Sequence, residues 1–348
     1  MTQIGQKIIG DGHPCFIIAE AGVNHNGRFT DAIKLIDVAC AAGADAVKFQ
    51  TFQAENLVTF DATKAEYQKK NDIKEETQFE MLKKLELHEE DFFRLSEHAA
   101  KKGIIFLSTA FDNKSIDIVS QLDVPCFKVP SGEITNFPYL KKIASEGKPV
   151  ILSTGMSTIN EIRDAITYLK QNGIKDIILL QCTTCYPAPF DSANLRVMYT
   201  LKQKFRCPVG YSDHTEGIII PIAAVAIGAC VIEKHFTLDK KDRRGPDHQA
   251  SLNPDELRML VDAIKRVESA MGNGEKIPEK CEIGNINVAR KSIVASKDIA
   301  RDSILNEEHL IIKRPGTGIE PKFFKDVIGK KVKELIKKDS VIRWDVLE

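Results

Sequence analysis

Neither sign of charge is in excess in this chain: 49 Lys and Arg residues face 49 Asp and Glu, for a formal net charge of zero. Proteins that track nucleic acid or anionic membrane carry a basic surplus, so the balance speaks against both partners. It leaves room for a local basic pocket that takes a small anion. Long apolar stretches are missing too. The longest nearly apolar run, 218–232, spans fifteen residues. A membrane helix needs about 20, so this run reads as a buried helix followed by a buried strand. The opening residues MTQIGQKIIGDGHPCF hold no apolar core of a secretory signal, from which we expect a cytoplasmic protein. There is no internal repeat, no low-complexity tract and no nucleotide fingerprint: NHNG at 24–27 matches neither GxGxxG nor GxxxxGK[ST]. The eight cysteines are scattered, and Cys182 and Cys185 form a CxxC without a second pair at zinc spacing. They read as packed thiols rather than as a disulfide framework or a metal knot.

What is present is an alternation. Short apolar runs at 16–19, 46–49, 104–107, 126–129, 150–152, 177–180, 208–211 and 231–233 read as strands buried on both faces. Longer amphipathic stretches between them read as helices. Thr30 is expected to cap one, with Gly43 at its end; Thr158 with Glu161 forms a capping-box pattern; Asn253, Pro254 and Glu256 mark another helix start. Eight such units predict a (β/α)8 barrel over 1–272. The Gly-, Lys- and Glu-rich stretch 273–288 reads as a linker. The remainder, 289–348, predicts a small, irregular, mostly β domain.

In such barrels, side chains just past the C-terminal end of each strand form the active site. Here those positions are polar on all eight strands: Glu20; Lys48 and Gln50; Ser108-Thr109; Lys128 with Ser131 and Glu133; Ser153-Thr154-Gly155; Thr183-Thr184 and Tyr186; Ser212-Asp213-His214; and Glu233-Lys234-His235. Two lysines among hydroxyls and glycine-adjacent amides suit a phosphate and a carboxylate together. The structural alternative pairs Lys48 and Lys128 with Glu20 and Glu133. His214 and His235 follow adjacent strands and are placed to share one cation, with water or substrate completing the shell. His25 and His248 fall on loops of the same face and stay open.

The succession AEAGVNHNG, VKFQ, FLSTAFD, FKVPSGEITNFPYL, ILSTGMS, CTTCYPAP, GYSDHT, IEKHFT and RGPDH, followed by KRPG, resembles the sialic acid (nonulosonate) synthases, which join a barrel to an antifreeze-like (SAF) domain. The resemblance covers nearly the whole chain. It implies condensation of phosphoenolpyruvate with the open-chain aldehyde of an N-acetylated mannosamine-type sugar, assisted by a divalent metal, usually Mn2+, with Mg2+ or Co2+ as alternatives. By matching position, Lys48, Thr109, Lys128, Ser131, Ser153, Thr184 and Ser212 resemble the phosphoenolpyruvate-binding set, with Thr184 standing where some members have asparagine. Glu20, Gln50, Glu133, Tyr186 and Asp247 resemble the sugar-side set, with Glu133 foremost and Glu20 beside it as catalytic candidates. His214 and His235 resemble the metal ligands. Arg314 resembles an arginine inserted into a partner subunit's site, which implies a domain-exchanged homodimer. Val288 departs from a phenylalanine that some relatives carry. GPDHQASL and VKFQ resemble the legionaminic acid synthases more than the N-acetylneuraminate enzymes, and the segment 59–79 is expected to cover the sugar. Two other readings are weighed: an aldolase forming a Schiff base on Lys128 or Lys48, and a non-catalytic carbohydrate-binding protein.

Overall fold

The computed structural model describes residues 1–71, 76–242 and 244–348; the side chains of Tyr67, Lys70 and Asn71 lie outside that description. The chain divides into two units, Met1–Gly272 and Asn273–Glu348. The first begins with an antiparallel hairpin, β1 (Thr2–Ile4) and β2 (Lys7–Ile9). Ile4 and Ile9 of this hairpin are buried in the barrel's own core cluster, and Gly5 lies against Ile105 and Pro125 at the start of two barrel strands. The hairpin therefore caps the N-terminal end of the barrel.

Eight parallel strands then close on themselves: β3 (Phe16–Gly22), β4 (Ala46–Thr51), β5 (Ile105–Ala110), β6 (Phe127–Val129), β7 (Val150–Ser153), β8 (Ile177–Cys182), β9 (Val209–Asp213) and β10 (Val231–His235), with β10 pairing β3. Nearly every residue in them is buried, as expected of strands packed inward on each other and outward on helices. The eight apolar runs of the sequence all fall on these strands. The helix Ile159–Gln171 starts with a complete capping box between Thr158 and Glu161, and Pro254–Met271 with one between Asn253 and Glu256. The helix Phe29–Ala42 departs from expectation at its start. Arg28 precedes it in extended conformation, and Thr30 lies within the first turn rather than at the cap, while Gly43 closes the helix at φ 81°. Its first turn is tied instead by Arg28 to Asp31. No helix among the described residues is long and apolar enough to cross a membrane.

The second unit holds the helix Lys280–Ala289 and an antiparallel pair, β11 (Ser292–Ala295) with β12 (Leu310–Lys313). Isolated bridges and short turns complete it around a core that includes Ile293, Leu305, Ile319, Val332 and Ile342. Part of the stretch read as a linker is therefore helical. Glu279 and Glu282 form a capping box there, but the helix buries none of its residues, and its polar composition is what made it read as a connection.

Candidate active site

Strand register brings the polar strand ends together. Glu20 lies opposite Lys48, Gln50 opposite Thr109, Thr109 opposite Lys128, Ser212 opposite Glu233, and His235 opposite Glu20. At the bottom of the cavity they form a buried charge cluster. Lys48 Nζ is 2.7 Å from Glu20 Oε2 and 3.6 Å from Glu233 Oε2, and donates to Thr109 Oγ1 at 2.7 Å. Lys128 Nζ lies 3.2 Å from Glu233 Oε1, which also accepts from Ser212 Oγ at 2.9 Å. Lys128 thus pairs with Glu233, not with Glu133 as the structural alternative had it. Sequence spacing gives Glu233 no role of its own, because the two lysines it pairs with lie on strands far away in the chain.

Burial and charge pairing compete in setting the electrostatics here. Burial acts on every group of the cluster. It pushes Glu20 up to about 7 against the pull of Lys48. Glu233 is desolvated too, but two lysines outweigh this and hold it at about 2. Lys48 is raised, because Glu20 and Glu233 outweigh its burial. Lys128 is lowered by burial against the attraction of Glu233. Glu20 is therefore the carboxyl of the cluster that exchanges a proton near neutrality.

Above one side of the cluster three loops converge. Ser131 opens a short 3-10 turn after β6, and its Oγ accepts from the Gly155 amide at 2.9 Å. Ser153 Oγ, at the end of β7, is buried without a partner among the described residues. A Cβ at Gly155 would stand 2.3 Å from Thr184 Oγ1 and 2.9 Å from Ser131 Oγ; only glycine lets the two hydroxyls approach the same spot. Lys48, Thr109, Lys128, Ser131, Ser153, Thr184 and Ser212 all line one cavity with Glu20, Gln50, Tyr186, His214, Glu233 and His235. Two lysines, directional hydroxyls and an unpartnered buried hydroxyl suit a small phosphorylated carboxylate.

The two histidines meet at the mouth of β9 and β10, with ring centroids 5.5 Å apart. His214 Nδ1 is 2.7 Å from the Thr183 carbonyl. A carbonyl only accepts, so Nδ1 carries the proton and Nε2 is left as the ligand atom. His235 Nδ1 is buried without a partner among the described residues, and burial, His214 and Lys48 depress the ring's basicity. Tyr186 covers His214, with centroids 4.0 Å apart. In their neutral form the two imidazoles fit a divalent cation. Burial lowers the basicity of His214, but Cys182, the Thr183 carbonyl and Asp213 outweigh it and hold the ring above the ordinary histidine range, so a cation would have to displace a proton there. Among the described residues no group of three or more His, Cys, Asp or Glu forms a complete cage, so oxygen ligands from substrate or water are needed to fill the shell.

Two other expected residues of the barrel unit, Glu133 and Asp247, are not among those that line this cavity. Glu133 Oε2 accepts from Asn136 Nδ2 at 2.6 Å. Asp247 is buried, and its Oδ1 has no partner among the described residues. Burial raises it to about 6, against the pull of His214, whose charge it feels. Arg314 belongs to the second unit, where it is exposed and its Nε donates to the Ala289 carbonyl at 3.0 Å. Part of 59–79, residues 72–75, lies outside the described residues. His25 and His248 find structural partners nearby. His248 Nε2 is 2.9 Å from Asn26 Oδ1 and its Nδ1 2.7 Å from Thr237 Oγ1, while His25 Nδ1 accepts from the Gly27 amide at 3.1 Å. Asn24 Nδ2 donates to the Phe236 carbonyl and to Ser251 Oγ. These bonds join the loop after β3 to the loop after β10.

The chain is similar to known proteins over almost all its length. The profile described as the NeuB family matches residues 35–276, and that of the SAF domain matches 290–348. The chain is 52% identical to the N,N'-diacetyllegionaminic acid synthase of Campylobacter jejuni, covering 94% of this chain and 98% of that protein. It is 48% identical to the protein of the same description from Legionella pneumophila, covering 99% and 98%. Among solved structures, the N-acetylneuraminic acid synthetase of Leptospira borgpetersenii, in complex with citrate, superposes with a TM-score of 0.71 at 36% identity over 82% of this chain and 96% of that one.

Proposed function

The chain belongs to the NeuB family, and from that premise we propose that it condenses phosphoenolpyruvate with an open-chain N-acetylated mannosamine-type sugar, giving a nonulosonate and phosphate. The C3 carbon of phosphoenolpyruvate bonds to the sugar aldehyde carbon. Water adds at C2, and the C2–O bond to phosphate breaks. The observation that carries this reading is the buried cluster of Lys48, Lys128, Glu20 and Glu233 beneath the His214–His235 pair in one cavity.

In this reading Lys48, Lys128 and the hydroxyls of Thr109, Ser131, Ser153 and Ser212 hold the phosphate and carboxylate of phosphoenolpyruvate, with Thr184 at the same spot. Gln50 and Tyr186, nearer the mouth, face the sugar, and Asp247 joins them from the loop after β10. His214 and His235 would hold a divalent metal such as Mn2+, which would supply Lewis acidity toward the aldehyde. Glu20 is placed to move a proton: it sits at the cavity beside Gln50, 3.3 Å from its Nε2, and titrates near neutrality. Glu133 keeps a proton-transfer role only if the sugar draws it inward. Of the sugars, 2,4-diacetamido-2,4,6-trideoxy-mannose is favoured over N-acetylmannosamine. Identity is 52% and 48% to proteins described as N,N'-diacetyllegionaminic acid synthases, against 36% to the N-acetylneuraminic acid synthetase.

We further propose that the protein works in the cytoplasm as a domain-exchanged homodimer in which Arg314 completes the partner's site. A phosphate-release assay with each sugar, with and without EDTA, tests the reaction. Release with the diacetamido sugar, abolished by EDTA and restored by Mn2+, is expected; no release with either sugar sinks the reading.

A further inference from the structure

One deeply buried ion pair takes no part in the reaction described above. Lys234 on β10 lies opposite Asp213 on β9. By the two-residue period of a strand, both point away from the interior that Ser212, Glu233 and His235 face. Lys234 Nζ is 2.6 Å from Asp213 Oδ2, and the side chains are 1% and 0% exposed. Lys234 also donates to the Thr215 carbonyl, and Asp213 Oδ1 accepts from the Thr215 amide at 3.0 Å. The residues on either side of His214 are thus tied to the residue that precedes His235.

The place of this knot matters. On this side of β9 the ladder with β10 ends at the Lys234–Asp213 pair. His214 and His235 come one residue later, where no ladder bond between the two strands sets their spacing. On the other side, the Ala188 amide bonds the His214 carbonyl at 2.8 Å and fixes the chain toward β8 only. The Lys234 ammonium reaches one residue past His214 and takes over where the ladder stops. Stability alone does not account for such a pair. Desolvating two ions offsets most of their attraction, and apolar side chains of similar volume commonly hold a core as well or better. Apolar contacts, however, give no direction to the backbone at 213–215, and the ammonium and carboxylate do.

We propose that Lys234 and Asp213 are positioning residues that fix the separation of the His214 and His235 imidazoles for a divalent cation. The proposal rests on the metal reading of that histidine pair. It concerns residues that touch neither substrate nor metal and act through the chain.

The test replaces the pair without leaving a lone charge, as Asp213→Leu with Lys234→Met, and in parallel as Asp213→Asn with Lys234→Gln. Mn2+ binding to substrate-free protein is followed by electron paramagnetic resonance, alongside urea denaturation. His235→Ala is the reference. The expected result is a folded variant of near-wild-type urea midpoint that binds Mn2+ about tenfold to a hundredfold more weakly, with the KM for phosphoenolpyruvate little changed. Wild-type Mn2+ affinity in a folded double variant overturns the clamp and leaves the metal reading standing. If His235→Ala binds Mn2+ like the wild type, or the wild type binds none, the metal reading falls and the clamp with it. If neither double variant folds, the pair is a stability element and the proposal is wrong.

Discussion

Glu233 and Asp247 show how single carboxyl groups are set by what surrounds them. Glu233 compensates two buried lysines. Glu233→Gln leaves Lys128 without its buried carboxylate partner and Lys48 with Glu20 alone, so a loss of about 3–5 kcal/mol is expected. Added inorganic phosphate should raise the melting temperature of this variant by more than that of the wild type, since the anion replaces the missing charge; an equal rise in both proteins contradicts the cluster as described. Asp247 holds its proton up to about pH 6 in the folded chain, whereas an unfolded aspartate releases it near 3.9. Between those values the folded state binds more protons, so stability falls as pH rises through the window. In metal-free protein, Asp247→Asn should remove this slope and gain on the order of 2 kcal/mol over wild type between pH 4 and pH 7, as read from thermal denaturation at both pH values. A constant difference would place Asp247 in water rather than in the interior. Both lysines are legible in the sequence because they interrupt apolar runs, and both histidines and most of the hydroxyls because they fall at or just past the ends of such runs. Glu233 is harder to read, for its importance comes from two partners on strands far away in the chain.

At the scale of elements, the βα loops after β6, β7 and β8 meet at Gly155. The obstacle to any larger residue there is the Thr184 hydroxyl, 2.3 Å from where a Cβ would stand. Gly155→Ala is expected to lose about 1–3 kcal/mol through overpacking and to raise the KM for phosphoenolpyruvate while leaving that for the sugar nearly unchanged. Adding Thr184→Ala should restore most of the stability; no recovery in the double variant would show that the strain lies elsewhere. The strands were easy to read because a barrel strand is buried on both faces. The helix Lys280–Ala289 was not, since it carries a capping box but no apolar stripe. Thr30 misled for a related reason: a hydroxyl ahead of an apolar run fits a cap, but the Arg28–Asp31 pair starts the helix two residues earlier.

For the whole molecule, the proposed exchange of Arg314 between subunits makes a prediction that mixing can read. Arg314→Ala and His214→Ala proteins should each be inactive. Unfolded and refolded together, they form mixed dimers in which one barrel keeps its histidines and receives an intact arginine. Activity should return to about a quarter of wild type, the share expected for random pairing of a two-fold dimer; a mixture as inactive as its components means that Arg314 serves its own barrel or none. The two-unit division was legible from composition, but the origin of the arginine is a property of an assembly and leaves no mark on spacing within one chain. The hairpin of β1 and β2 has a kinetic consequence as well. With the barrel capped at its N-terminal end, ligands exchange through one mouth. The lysines that would receive phosphoenolpyruvate are fully buried, while Gln50 and Tyr186 lie nearer the surface. A sugar seated first would bar the way. Initial-rate kinetics should therefore show compulsory order, phosphoenolpyruvate ahead of the sugar, with excess sugar acting as a competitive inhibitor of the first arrival.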